Sequence, residues 1–61
     1  MQKHYEVRYR IWEVGKYTLK KGDIVTVVDR NEHEICVNNV YFDCPIWVRI
    51  ESFNNHVVES N

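Results

Sequence analysis

The sequence predicts an all-β protein, a small open barrel of five to six short antiparallel strands with little or no helix. Two observations carry that expectation. Apolar residues recur with a period of two along nearly the whole chain, which is the repeat of a half-buried strand. The pattern breaks at Gly15, Gly22, Asn31, Asn38-Asn39, Pro45 and Asn54-Asn55, residue types that turn a chain or end a strand. Sixty-one residues hold one domain, 1–61, with no internal linker, repeat or low-complexity tract. A chain this short buries only about 60% of the surface its unfolded form exposes, so modest stability is expected.

The first segment alternates cleanly. Tyr5, Val7, Tyr9 and Ile11 share one face, and His4, Glu6, Arg8, Arg10 and Trp12 share the other, so the first set is assigned to the core. Gly15 and Lys16 interrupt this run. Leu19 followed by Lys20-Lys21-Gly22-Asp23 reads as a tight turn, because Gly22 tolerates positive φ and the Asp23 side chain can bond nearby backbone amides. Strand 24–28 is apolar on both faces, as suits a strand lying between the core and a crossing loop. Val25 and Val27 are assigned to the core and Ile24 to a partly covered position. Segments 34–37 and 40–43 flank Asn38-Asn39, which predicts a two-residue hairpin, since Asn tolerates the left-handed conformation such turns demand. Pro45 ends that hairpin, because a central strand cannot spare the amide. Strand 46–52 points Val48 and Ile50 inward and Trp47, Arg49 and Glu51 outward. Asn54-Asn55 predicts a last hairpin into strand 56–59, leaving room for one helical turn at most.

The run Leu19-Lys20-Lys21-Gly22-Asp23-Ile24-Val25-Thr26-Val27-Val28 resembles the diverging turn and second strand of Src homology 3 (SH3) domains and their bacterial relatives. Trp47-Val48-Arg49-Ile50-Glu51 is similar to the segment of those folds in which an exposed Trp precedes alternating core valines, a tight hairpin and a last short strand. The resemblance covers residues 17–29 and 47–58. It implies an SH3-like barrel with Trp47 in the place of the groove Trp. It does not extend to polyproline recognition, because the loop before Leu19 lacks the family's acidic cluster and no Pro-Ser-Asn-Tyr-like stretch follows the final hairpin. The Arg-Ser-Gly-Pro-like opening of the cell-wall-binding bacterial members is also missing.

Composition narrows the function classes. Hydrophobic residues make up 44% of the chain and only one Pro and two Gly occur, which is the composition of a folded domain. Eight Lys plus Arg against nine Asp plus Glu leave a formal charge of −1, so nucleic-acid or lipid binding requires a local basic patch. No apolar run approaches the roughly 20 residues of a membrane helix, and Met1-Gln2-Lys3-His4-Tyr5-Glu6 lacks the apolar core of a signal peptide. A cytosolic location is expected.

Cys36 and Cys44 are too few for a disulfide framework. In the Asn38-Asn39 hairpin Cys36 would face Tyr41 and His33 would face Cys44, so the two thiols would project to opposite sides of the sheet, buried and free. A His33–Cys44 pair supplies two metal ligands where structural zinc takes four, and only the distant His4 and His56 remain, so neither metal nor cofactor is expected. Asp43, Cys44 and His33 can be drawn as a triad. No oxyanion-hole signature accompanies them, and a barrel this small leaves little room for a substrate pocket, so the chain is not expected to be an enzyme.

The expected function is that of a non-enzymatic protein-interaction module or small regulator or inhibitor, of the size encoded by phages and mobile elements. Its contact surface would be aromatic: Trp47, Trp12, Tyr17, Tyr41 and Phe53, since large exposed rings anchor interfaces. The alternative is a nucleic-acid-binding barrel using Arg8, Arg10, Lys20 and Lys21, which interleave with rings as in single-strand binders. An open edge strand would additionally permit self-association.

Overall fold

The computed structural model describes residues 3–60. Seven strands and one helix follow one another as β1 (His4–Val7), β2 (Ile11–Val14), β3 (Tyr17–Lys20), β4 (Ile24–Arg30), β5 (Glu34–Asn38), β6 (Ile46–Arg49), α1 (Ile50–His56) and β7 (Val57–Ser60). Five of the strands form an antiparallel sheet in the order β6-β5-β4-β1-β7, and β2 with β3 forms a separate hairpin. The chain is mostly β, as expected. Among the described residues there are seven strands and not five or six, and the helix is longer than a single turn.

The first segment departs most from expectation. It is not one strand, because the chain bends at residues 8–10. Val7 donates its N–H to the Asp23 carbonyl and accepts from Gly22 N–H, both at 2.9 Å, and Arg8 N–H reaches the His56 carbonyl at 2.9 Å. These bonds anchor the end of β1, and the chain restarts as β2 with the opposite parity. Tyr5 and Val7 remain on the inner side, but the next inward residues are Trp12 and Val14. Tyr9 and Ile11, assigned to the core by alternation, are instead 45% and 59% exposed.

Val14 faces Tyr17 across a two-residue turn, and Gly15, at φ 59°, occupies its first central position, as in type II′ hairpins. A Cβ there would also meet Ile46 Cδ1 at 3.1 Å. The turn at 20–23 forms as predicted, with Gly22 at φ 97° and the Asp23 carboxylate accepting from Lys20 N–H at 2.7 Å. Strand β4 then runs to Arg30 with a register shift between Val27 and Asp29, which adds the local bend of a bulge.

Neither Asn-pair hairpin exists. Strand β5 continues through Asn38, residues 39–45 form a loop, and β5 pairs with β6, so Cys36 lies opposite Trp47 and not Tyr41. Positive φ, which a type I′ turn needs, occurs among the described residues only at the two glycines. Asn39 serves the loop through its side chain: Nδ2 donates to the Ile24 carbonyl at 2.7 Å and Oδ1 accepts from Tyr41 N–H at 2.9 Å. Asn54 and Asn55 lie exposed within α1. Strand β6 accordingly stops at Arg49 and leads into a helix, not a tight hairpin.

A seven-residue helix is marginal by itself. Here Ile50 and Phe53, spaced i and i+3, both pack on the core, while Glu51 in the first turn and His56 in the last complement the helix dipole. The Phe53 ring sets its edge against Tyr5 at 4.9 Å and against Trp12 at 6.2 Å. Trp12 also stacks on His56 at 5.5 Å and donates its indole N–H to Ser52 Oγ at 3.1 Å. His56 Nδ1 lies 2.6 Å from the Ser52 carbonyl oxygen, which requires the ring proton on Nδ1. The hairpin β2–β3 and the helix thus meet over one continuous core that includes Val7, Val25, Val37 and Val57.

Candidate functional site

The strand register assigns the other face of the large sheet. Glu6 pairs with Ile24 and Val58, Thr26 with Asn38, and Cys36 with both Asp29 and Trp47, so these side chains share the outer side, away from the Ile35–Val37 core side. Trp47 is therefore outward, as alternation predicts, and is 42% exposed.

The five rings expected to form one surface divide into separate groups. Trp12, 2% exposed, and Phe53 belong to the core and cannot contact a partner; the parity change at residues 8–10 buried the first and the helix buried the second. Tyr17 is half-buried and stacks on Phe42 with centroids 4.4 Å apart. Tyr41 stands in solvent, 76% exposed, next to Val40 at 89%.

Loop 39–45 holds these two apolar side chains outward by a dense set of contacts. Besides the Asn39 bonds, Phe42 N–H donates to the Asn39 carbonyl at 3.0 Å and Asp43 N–H donates to Tyr17 Oη at 2.9 Å. Lys16 Nζ reaches Asp43 Oδ2 at 3.1 Å and lies 5.4 Å from the centre of the Tyr17 ring. That ion pair is exposed and contributes at most about 1 kcal/mol. The stack and the backbone bonds do most of the bracing.

Tyr41 is a ridge between two shallow grooves. One, of about 470 Å³, runs over Ile24, Thr26 and Asn38 on the outer face. The other, of about 350 Å³, lies between loop 39–45 and β3 and is lined by Tyr17, Leu19, Lys20 and Phe42. A third groove, of about 550 Å³, is at the opposite end of β4, where Glu32, Glu34 and Glu51 surround His33 and Arg49.

Arg8, Arg10, Lys20 and Lys21 are all exposed. The fold brings them to one end of the molecule, since Val7 bonds to Gly22 and Asp23 while Ile11 pairs with Lys20. Tyr9 lies among them, with the Arg8 guanidinium carbon 5.2 Å from its ring centre and its edge toward His56 at 5.1 Å. Sequence reasoning missed Tyr9 and Val40 as exposed residues and Phe42 as the half-buried base of the loop. Tyr9 was hidden by an alternation that does not cross residue 8, and Val40 and Phe42 by a hairpin that does not form.

Both cysteines are free, but only Cys36 is buried; Cys44 is exposed in loop 39–45. Burial pushes the Cys36 thiol pKa upward, and the Asp29 and Cys44 charges add to the shift. His33 and Cys44 do not face one another. They flank opposite ends of the β5–β6 ladder, which runs from Glu34–Arg49 to Val37–Ile46. No metal-holding cluster of His, Cys, Asp and Glu occurs among the described residues. No helix among them is long and apolar enough to cross a membrane.

No protein family, curated protein or solved structure matches this chain.

Proposed function

We propose that this protein is a non-enzymatic protein-interaction module, a cytosolic regulator or inhibitor of SH3-like architecture. A partner seats on the Tyr41 ridge and extends along the outer face toward Trp47. The observation that carries this reading is the pair Val40 and Tyr41, apolar side chains held almost fully in water by a braced loop. An unbraced loop would collapse such side chains onto the nearby grooves. A loop already ordered costs little further entropy on binding, so its exposed ring is a suitable anchor. Asn38 Oδ1, buried beside the first groove without a protein partner, offers an acceptor to an incoming donor.

Several features support the SH3-like part. A hairpin separates the first two strands of the large sheet in chain order, a tight turn at Gly22 feeds β4, and a short helix precedes the last strand. The helix after Trp47, where the resemblance implies a hairpin, favours Tyr41 over Trp47 as the principal anchor. Partner specificity then comes from loop 39–45 and not from a polyproline groove.

The test is capture of a partner from the native host by the wild-type chain and by Tyr41→Ala and Trp47→Ala, each checked for fold by circular dichroism. Photo-crosslinking from position 41 identifies the bound protein. Tyr41→Ala is expected to lose the partner and Trp47→Ala to weaken it. Equal yield of the same crosslinked protein from both variants and wild type would falsify the proposal.

A further inference from the structure

Half of the Lys and Arg residues of the chain, four of eight, gather at the end of the molecule where β1 meets the 20–23 turn. None of Arg8, Arg10, Lys20 and Lys21 has an ion-pair partner among the described residues, where the salt bridges are Lys3–Glu59 and Lys16–Asp43. Three carboxylates lie near them and offset part of their charge. Asp23 lies in the same turn and accepts from Lys20 N–H, Glu6 lies on the outer face of β1, and Glu13 stands one cross-strand diagonal from Lys20. The acidic groove of Glu32, Glu34 and Glu51 lies beyond the far end of β4. Six residue steps at about 3.3 Å each separate the two ends of that strand by roughly 20 Å, well over a Debye length at physiological salt. Four cations against the three nearby carboxylates leave this end with an excess of one positive charge, in a chain whose net charge is −1.

An exposed ring lies among these cations. Tyr9 is 45% exposed, steadied by the His56 edge and the Arg8 guanidinium, and flanked by exposed Ile11. Positive side chains spaced around an accessible aromatic face suit a chain of phosphates carrying unpaired bases. A duplex offers the same phosphates but keeps its bases stacked away from Tyr9. A lipid surface would require more exposed apolar area at this end than Ile11 and Tyr9 supply.

We infer that this end of the barrel binds single-stranded nucleic acid, with Arg8, Arg10, Lys20 and Lys21 contacting phosphates and Tyr9 stacking on a base. The surface is separate from the Tyr41 ridge except at Lys20, which also lines the groove beside Tyr17. The inference therefore does not rest on the proposed protein partner.

Fluorescence anisotropy of a labelled oligothymidylate, titrated with the protein at several salt concentrations, tests it. Four phosphate contacts give a slope of log Kd against log salt of about 2.8, or roughly a 50-fold weakening from 50 to 200 mM salt. Lys20→Ala with Lys21→Ala should halve the slope to about 1.4. Tyr9→Ala should weaken binding about fivefold or more at fixed salt while leaving the slope in place, since stacking releases no counterions. Trp47→Ala should change neither quantity, which keeps the result independent of protein-partner binding. All the substituted residues are exposed, so each variant should keep the fold, which circular dichroism checks. Absence of binding at 50 mM salt overturns the inference. So does a salt slope below about one, or equal affinity for duplex DNA or phosphatidylserine vesicles together with an unaffected Tyr9→Ala variant.

Discussion

The two tryptophans lie on short strands of the same small β fold and meet opposite fates. Trp12 is sealed between the β2–β3 hairpin and α1, ringed by Phe53 and His56, with its N–H satisfied by Ser52. Trp47 lies on the outer face beside Cys36 and Asp29, with no ring stacked on it among the described residues. The difference is set by which face of its strand each residue occupies. For Trp47 the local alternation predicts that face. For Trp12 it predicts the wrong one, because the chain changes parity at residues 8–10. The region around Trp12 carries the fold, and the region around Trp47 and loop 39–45 is free to carry contacts.

The largest expected effect on this contrast is at Trp12. Trp12→Ala should cost about 3–5 kcal/mol, a large share of what a chain this size can hold, and urea denaturation should show partial or complete unfolding. A loss below about 1 kcal/mol would mean that Trp12 is not the centre of the core. Next in size is Gly15→Ala, which places a side chain at φ 59° against Ile46 and should destabilise by about 1–3 kcal/mol. A midpoint equal to wild type would show that the β2–β3 turn relaxes freely. Trp47→Ala should lower the unfolding free energy from urea denaturation by about 1 kcal/mol or less, because much of its ring is already in water. A loss comparable to Trp12→Ala would erase the distinction between the two regions.

The smallest effects concern the thiols. Iodoacetamide at mildly alkaline pH should modify exposed Cys44 well before buried Cys36, and Trp47→Ala should speed the slower reaction by uncovering its cross-strand neighbour. Reversed order by peptide mapping would contradict the outer-face packing. The raised Cys36 pKa has a definite sign. Below the ordinary thiol value of 9.0 both folded and unfolded chains hold the proton and stability is unaffected. Above it the unfolded chain ionises first, so stability falls with rising pH until the folded-state pKa is passed. Cys36→Ala should flatten that part of the profile relative to wild type; an identical alkaline slope in the two proteins would remove the attribution to Cys36.

Much of the architecture was legible in the residues. The core position of Val25, the inward Val48, the turn chemistry of Gly22 and Asp23, and the outward position of Trp47 all follow from local rules and recur in the structure. The interaction surface was legible only in part. Tyr17 and Tyr41 share a groove, but Trp12 and Phe53 are core, and the neighbours that complete the surface, Val40 and Phe42, read locally as part of a strand. The basic cluster was visible as a composition. Its convergence on Tyr9 required knowing that Val7 bonds to the 20–23 turn.

The sequence by itself determined that this chain forms strands, where its glycine turns fall, and that its overall charge supplies no long-range pull. Each of these depends on residues adjacent in the chain. Tertiary structure alone decided the parity of β2, the conversion of Asn54-Asn55 from turn to helix, and the choice of an ordered loop over a hairpin at Asn38-Asn39. In each case the local preference is worth only about 1 kcal/mol, and it yields to contacts made across the fold: Val7 with Gly22, Phe53 with Trp12, and Asn39 with Ile24.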